Sequence, residues 1–227
     1  MTAAIGILML DTRFPRPPGD VGNPASFDFP VIYRVVDGAT PERAVARRAE
    51  GLLPAFEDAA RALAAEGVAG LATTCGFLAP FQRRLAAASG LPVLASPLWL
   101  LPMIGTTLAP GRVPGVLTIS GFAFGADLLI EVGADPATPV AGLPAEGALA
   151  GAILGNLSTL DATAAEREMI EAAQCFKATH SGLGAIVLEC ANMAPYASEV
   201  RRATGLPIYS MVGALRWFQA SLAPPSW

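Results

Sequence analysis

The chain has 227 residues, 53% of them hydrophobic and 15% charged, with a formal net charge of −4. So apolar a composition excludes a disordered chain, and the acidic balance excludes a nucleic-acid binder that must neutralise phosphates. Three cysteines are too few for a disulfide framework and the opening MTAAIGILMLDT lacks a basic secretory leader, so a cytoplasmic protein with free thiols is expected.

In chain order, apolar runs bounded by turn residues alternate with alanine-rich helical stretches, the pattern of βα units around a largely parallel sheet. AIGILML (4–10) predicts the first strand. DTRFPRPPGDVGNPASFDFP (11–30) is a loop that its prolines stiffen, while Gly19, Gly22 and Asn23 permit positive φ. Such a segment is either a lid over a cleft or a surface packed against its own body or a neighbouring subunit. Residues 41–66 predict one helix that Pro41 starts and Pro54 kinks, with a solvated charged face along PERAVARRAE. GVAGLATT (67–74) predicts a strand, 79–89 a helix and LPVLAS (91–96) a strand. No charge occurs from Leu85 to Gly111, but Pro92, Pro97, Pro102 and Pro110 divide that stretch too often for a membrane span. It reads instead as a helix end, a buried strand and a proline-rich crossover. GVLTIS (115–120) is the next strand, 162–181 mostly helix and GAIVLE (184–189) a strand. A helix near 195–204 leads to LPIYSMV (206–212), and the apolar tail RWFQASLAPPSW (216–227) suits burial, as in a homodimer.

Two of the three cysteines stand at the same point of a repeated phrase. TTCGFLAPF around Cys75 is echoed by LECANMAPY around Cys190, an offset of 115 (190 minus 75). At that offset Ala79, Pro80, Phe81, Gly90, Leu91 and Pro92 meet Ala194, Pro195, Tyr196, Gly205, Leu206 and Pro207. Two similar α/β halves follow, each with a cysteine at the end of its second strand. The first comprises residues 1–98 plus 208–227, the second 99–207. Ligands of parallel α/β sheets bind at the carboxyl ends of strands. A thiol there faces the unpaired N–H groups of the next helix, which lower its pKa toward neutrality and can hold a carboxylate. A pseudo-twofold relation would turn Cys75 and Cys190 toward one cleft as a pair of acid/base groups.

Other candidates surround this pair. Thr74 borders the cleft as a donor to a carboxylate, Thr118 and Ser120 end the strand GVLTIS, and Asn192 can orient a substrate without acting as a base. Gly76, Phe77 and Ala191 follow the cysteines directly. Asp11 ends the first strand, and Arg13 follows on the same side by alternation, where it can pair with a carboxylate. Cys175, mid-helix and outside the repeat, reads as core. His180, the lone histidine, reads as a surface residue at a helix C-terminus, which leaves no Cys-His or Ser-His dyad, and the cysteine spacings fit no zinc pattern.

With both cysteine motifs, the duplicated halves and the length in view, the chain resembles the aspartate/glutamate/hydantoin racemase superfamily. The resemblance implies an α/β fold of two similar halves, each with a largely parallel sheet flanked by helices, and an active site between them. It also implies a cofactor-independent racemase or epimerase, an isomerase with no metal or pyridoxal. One thiolate, Cys75 or Cys190, removes the α-proton of an amino acid, hydantoin or related carbon acid, and the other thiol returns it on the opposite face. By the same resemblance Asp11 contacts a substrate amino group, and Thr118 and Ser120 supply hydroxyl contacts. The motifs also depart from the family. Gly76 and Phe77 replace the Asn and Thr of glutamate racemases, and Ala191 and Asn192 replace a Thr-His or Thr-Glu pair. CANMA is similar to the CAGMA of hydantoin racemases. Arylmalonate decarboxylases share the fold but keep only the second cysteine, whereas maleate isomerases keep both. The alternatives are therefore an isomerase or decarboxylase of the same fold, or a non-catalytic relative that binds a small molecule.

Overall fold

The computed structural model describes residues 3–224. The first apolar run forms β1 (Ile5–Leu10), in which all but Met9 are buried. A parallel strand covered on both faces shows no polar alternation, which is why this run is continuously apolar. β1 lies between β2 (Val31–Val36) and β3 (Gly70–Thr73), with β4 (Val93–Leu94) outside β3, and every pairing is parallel. The second sheet repeats the order. β5 (Val113–Thr118) lies between β6 (Val140–Gly142) and β7 (Leu183–Leu188), with β8 (Ile208–Tyr209) outside β7. The duplication read from the sequence is therefore a duplication of sheet topology.

Helices α1 (Leu53–Ala65) and α2 (Gln82–Ser89) pack on the first sheet, where the Phe56 and Phe81 rings meet edge to face at 5.7 Å. Five further helices belong to the second half and its crossover: α3 (Leu101–Thr107), α4 (Ala126–Glu131), α5 (Ala148–Leu154), α6 (Ala162–Thr179) and α7 (Ala197–Thr204). The matched Gly90 and Gly205 end α2 and α7 with φ of 71° and 70°, a left-handed cap that favours glycine. Phe56 and Phe176 are fully buried counterparts beneath the two sheets, and truncating either to alanine would cost about 3–5 kcal/mol.

The structure corrects several expectations. β2 was not anticipated, because VIYRVV carries Arg34 and three half-buried neighbours instead of a clean apolar run. Residues 41–66 are not one helix. A single π-helical turn at Glu42–Ala46 runs into a turn where Arg48 and Ala49 take positive φ, and α1 begins anew at Leu53. Pro54 occupies the first turn of α1, where its missing N–H has no helical partner to lose, so it starts a helix and does not kink one. Residues 208–209, expected with the first half, hydrogen-bond to β7 in the second sheet. The return to the first half comes one element later, with α8 (Met211–Leu222). Its Phe218 and Leu222 lie against Gly70 of β3, and Gln219 donates to the Ala3 carbonyl at 3.4 Å. Residues 225–227 of the tail lie outside the described residues. Cys175 is exposed on α6, not core. His180 caps the C-terminus of α6 with its ring edge-on to Phe176. The uncharged stretch before Gly111 resolves into the end of α2, β4 and a proline-rich crossover helix. Among the described residues no helix is long and apolar enough to cross a membrane.

Candidate active site

Beyond β3 and β7 the chain runs through an extended Cys75 or Cys190 into a short 3-10 helix, Gly76–Phe81 or Ala191–Tyr196. Each cysteine carbonyl accepts the amide three residues on, from Leu78 at 3.1 Å and from Met193 at 3.0 Å. Pro80 and Pro195 sit at the fifth position of each helix. The cysteines are thus N-caps without a side-chain cap bond, and amides of the following turn face their sulfurs: Phe77 and Leu78 toward Cys75, Asn192 toward Cys190.

Both thiols are only 6% exposed. Burial pushes the Cys75 thiol up to about 12, helped by the negative field of Glu189 and opposed by the Phe77 and Leu78 amides and by Arg16. Burial also holds Cys190 well above the ordinary thiol range. Glu189, Cys75 and Asp20 add to that rise, and the Asn192 amide opposes it. The closed site therefore stores two neutral thiols, not the near-neutral pair expected from helix N-termini. Desolvation outweighs a few aligned amides.

Glu189 is fully buried. Its Oε2 accepts from the Thr118 hydroxyl at 2.8 Å, while Oε1 has no hydrogen-bond partner. Burial raises this carboxyl to about 7 against the pull of Thr118 and the Ile119 amide. Gly76 packs directly on it, and a Cβ at Gly76 would collide with the Glu189 carbonyl and Oε1. The cysteine turn of the first half thus abuts the end of β7 in the second.

The 11–30 loop closes over this junction. Buried Asp20 accepts from Arg16 Nη1 at 2.8 Å, the Gly22 amide at 2.6 Å and Asn192 Nδ2 at 2.6 Å. Asn192 Oδ1 in turn accepts from Cys190 Sγ at 3.4 Å, so one polar chain runs from the loop of the first half to the thiol of the second. The loop holds its own form through Ser26, which receives the Gly19 amide at 2.8 Å and donates to the Asp20 carbonyl at 2.6 Å. Tyr33 of β2 donates to the Val21 carbonyl at 2.9 Å. Arg16 lies 4.7 Å over the Phe14 ring and gives Nη2 to Thr12, but its buried Nε has no partner. A surface cavity of about 560 Å³ beside α5 and α6 is lined by Cys175 and Phe176, not by the paired thiols, which lie sealed beneath the loop.

Of the residues expected here, Cys75, Cys190, Gly76, Phe77, Thr118, Ala191 and Asn192 form one buried cluster. Phe77 meets Phe124 edge to face at 6.2 Å. Thr118 spends its hydroxyl hydrogen on Glu189, so it positions a carboxyl and does not meet a ligand directly. Thr74 accepts the Leu10 amide at 3.1 Å and ties β3 to β1, while Thr73 supports the cysteine turn by accepting the Cys75 amide at 3.2 Å. Ser120 accepts the Ala123 amide at 3.2 Å at the start of the next turn. Asp11 and Arg13 are exposed and outside the cluster. Asp11 accepts the Gly38 amide at 3.3 Å, and Arg13 is held through its own amide by Asn156 at 2.7 Å. Strand alternation stops with β1 at Leu10, so it places nothing beyond. Their places are taken by Arg16 and Asp20, deeper in the same loop. Glu189 was the other residue missed, although an ionisable side chain ending the apolar run GAIVLE was a signal in plain view.

This architecture is shared with solved enzymes. Unliganded arylmalonate decarboxylase superposes with a TM-score of 0.63 at 18% identity, covering 100% of this chain and 94% of that one. Allantoin racemase from Klebsiella pneumoniae gives 0.59 at 20% identity over 97% and 87% of the two chains. Aspartate racemase from Picrophilus torridus gives 0.58 at 11% over 96% and 93%. The fold is that of the aspartate/glutamate/hydantoin racemase superfamily. No family model matches the chain.

The curated relatives point to a different reaction from the one expected. A dimethylsulfoniopropionate lyase from Durusdinium sp. clade D is 29% identical over 230 residues, 95% of this chain and 74% of that protein. Dimethylsulfoniopropionate lyase 3 from Emiliania huxleyi (strain CCMP1516) is 31% identical over 232 residues, 96% of this chain but 60% of the relative. The chain thus spans about three-fifths of the length of that relative. These relatives are lyases, which overturns the racemase and isomerase expected from the cysteine repeat. A repeated cysteine motif at equivalent strand ends does not by itself say which reaction it serves.

Proposed function

We propose that the protein is a lyase acting on dimethylsulfoniopropionate or a close β-onium carboxylate. The likeness to dimethylsulfoniopropionate lyases over 95–96% of this chain carries this reading, and the buried thiol pair supports it. In such a reaction a thiolate takes a proton from the carbon next to the carboxylate. The C–H pair becomes the new C=C bond, the C–S bond breaks, and its electrons leave on neutral dimethyl sulfide. The other product is acrylate, and the thiol returns its proton to solvent.

Elimination needs one base, not two, and a neutral sulfide leaves without an acid. Cys75 is better suited to the base, because two amides and Arg16 favour its thiolate, whereas Cys190 has one amide and is opposed by Cys75 and Asp20. Cys190, kept protonated, serves as a donor toward the charge that develops on the carboxylate. A reducing cytoplasm, as expected from the sequence, suits both thiols. The test is dimethyl sulfide in the headspace and acrylate by NMR, in equal amounts. Cys75→Ser should lower the rate by at least about 100-fold, and Cys190→Ser, which keeps a donor, by about tenfold. No dimethyl sulfide from the intact protein sinks the proposal; an unaffected Cys75→Ser removes Cys75 as the base.

A further inference from the structure

Two side chains of opposite charge at the thiols each leave one polar atom unpaired. Glu189 is fully buried with Oε1 unpartnered, and Arg16 is largely buried with Nε unpartnered. Both act electrostatically on Cys75, Glu189 against its thiolate and Arg16 for it. Oε1 lies against Gly76 and Nε against Gly22, and neither atom has a hydrogen-bond partner among the described residues. Asp20, also a buried carboxylate, receives three donors, whereas Glu189 has the Thr118 hydroxyl on Oε2 and the Ile119 amide beside it, with no partner on Oε1. A buried carboxylate without its complement is costly, and this one also holds down the ionisation of both thiols.

We infer that the closed site is built for a zwitterion, with Glu189 Oε1 receiving the onium cation and Arg16 Nε the carboxylate of one small substrate. The inference rests on the lyase reading for its reaction and adds the residues that select the substrate. A cation against Glu189 cancels the field that keeps the thiols neutral, so the substrate itself promotes the thiolate that attacks it. A carboxylate on Arg16 draws the α-carbon to the Cys75 side of the cluster. An uncharged thioether or a plain fatty acid would leave Glu189 uncompensated. Selection against such molecules then comes from the orphaned carboxylate, not from the size of the site.

The pair 3-(trimethylammonio)propionate and 4,4-dimethylpentanoate tests this, because they differ by N⁺ for C at one atom and neither has a sulfide to lose. Calorimetric binding to the wild-type protein should favour the cation by about tenfold or more. Glu189→Gln keeps the shape and a hydrogen bond to Thr118, and should bring that ratio to about one. Arg16→Gln should weaken both ligands alike and leave the ratio standing. No preference in the wild type, or a preference that survives Glu189→Gln, overturns the inference. The wild type supplies a second readout should the variant fail to fold. Glu189 is met by the Thr118 hydroxyl at the end of β5, by the Ile119 amide just beyond it and by Gly76 of the first half; its field reaches Cys75 and Cys190, on which Arg16 and Asp20 of the loop also act. The Glu189 carboxyl is raised to about 7, so the preference should fade as pH falls from about 8 to about 6, and a constant ratio overturns the inference. Dimethyl sulfide release is scored separately. Its absence with a Glu189-dependent preference removes the reaction but keeps the zwitterion site; its presence with no preference does the reverse.

Discussion

Gly76→Ala is the sharpest perturbation of the junction between the halves. The added methyl would fall inside the van der Waals envelopes of the Glu189 carbonyl and Oε1, and the first of these is backbone that cannot swing away. Relief requires the cysteine turn and the end of β7 to separate by a sizeable fraction of an ångström, which disturbs Thr118–Glu189 and the contacts around both thiols. Overpacking of this kind costs about 1–3 kcal/mol, and the extra buried methyl returns less than about 1 kcal/mol. For a chain of this length a net loss of about 2 kcal/mol corresponds to a fall in Tm of about 4–8 °C. Urea denaturation, followed by tryptophan fluorescence, measures the stability, and headspace dimethyl sulfide measures the function, which should fall by about tenfold or more because Oε1 is displaced. A variant as stable and as active as the wild type would show that the two halves do not abut through Gly76 and Glu189, and would refute the site geometry.

Thiol labelling should count one reactive cysteine, Cys175, in the native protein near neutral pH and three after denaturation, because Cys75 and Cys190 are buried and neutral. Asp20→Ala removes the acceptor of Arg16, Gly22 and Asn192, so it should loosen the loop and raise the native count toward three. Glu189 predicts a pH-dependent stability. Its folded pKa, about 7, lies above the 4.5 of a free glutamate. The stability linked to its proton is therefore fully present below about 4.5 and is lost as pH rises through about 7, a change of about 3 kcal/mol. Glu189→Gln should gain on the wild type over that window in chemical denaturation; parallel pH profiles for the two proteins would contradict it.

Much of this protein is legible along the chain because the relevant physics is local. Buried parallel strands must be apolar, so the runs at 4–10, 115–120 and 184–189 announce their elements. A left-handed helix cap favours glycine, so Gly90 and Gly205 mark the same corner twice. The paired motifs around Cys75 and Cys190 place two thiols at equivalent strand ends with no knowledge of tertiary contacts. What the chain order conceals is set by distance in space. Arg16 and Asp20 enter the site because a loop of the first half folds back over the second, through contacts such as Asp20 with Asn192, 172 positions apart. Asp11 reads as the end of the first strand and Arg13 follows by alternation, but the strand stops at Leu10. The near-neutral thiols expected from helix N-termini give way to neutral ones because burial depends on everything packed around them. The unpaired Oε1 of Glu189 likewise has no signature in GAIVLEC beyond its presence. It becomes a feature only when Gly76 of the other half is pressed against it and no group among the described residues pairs with it.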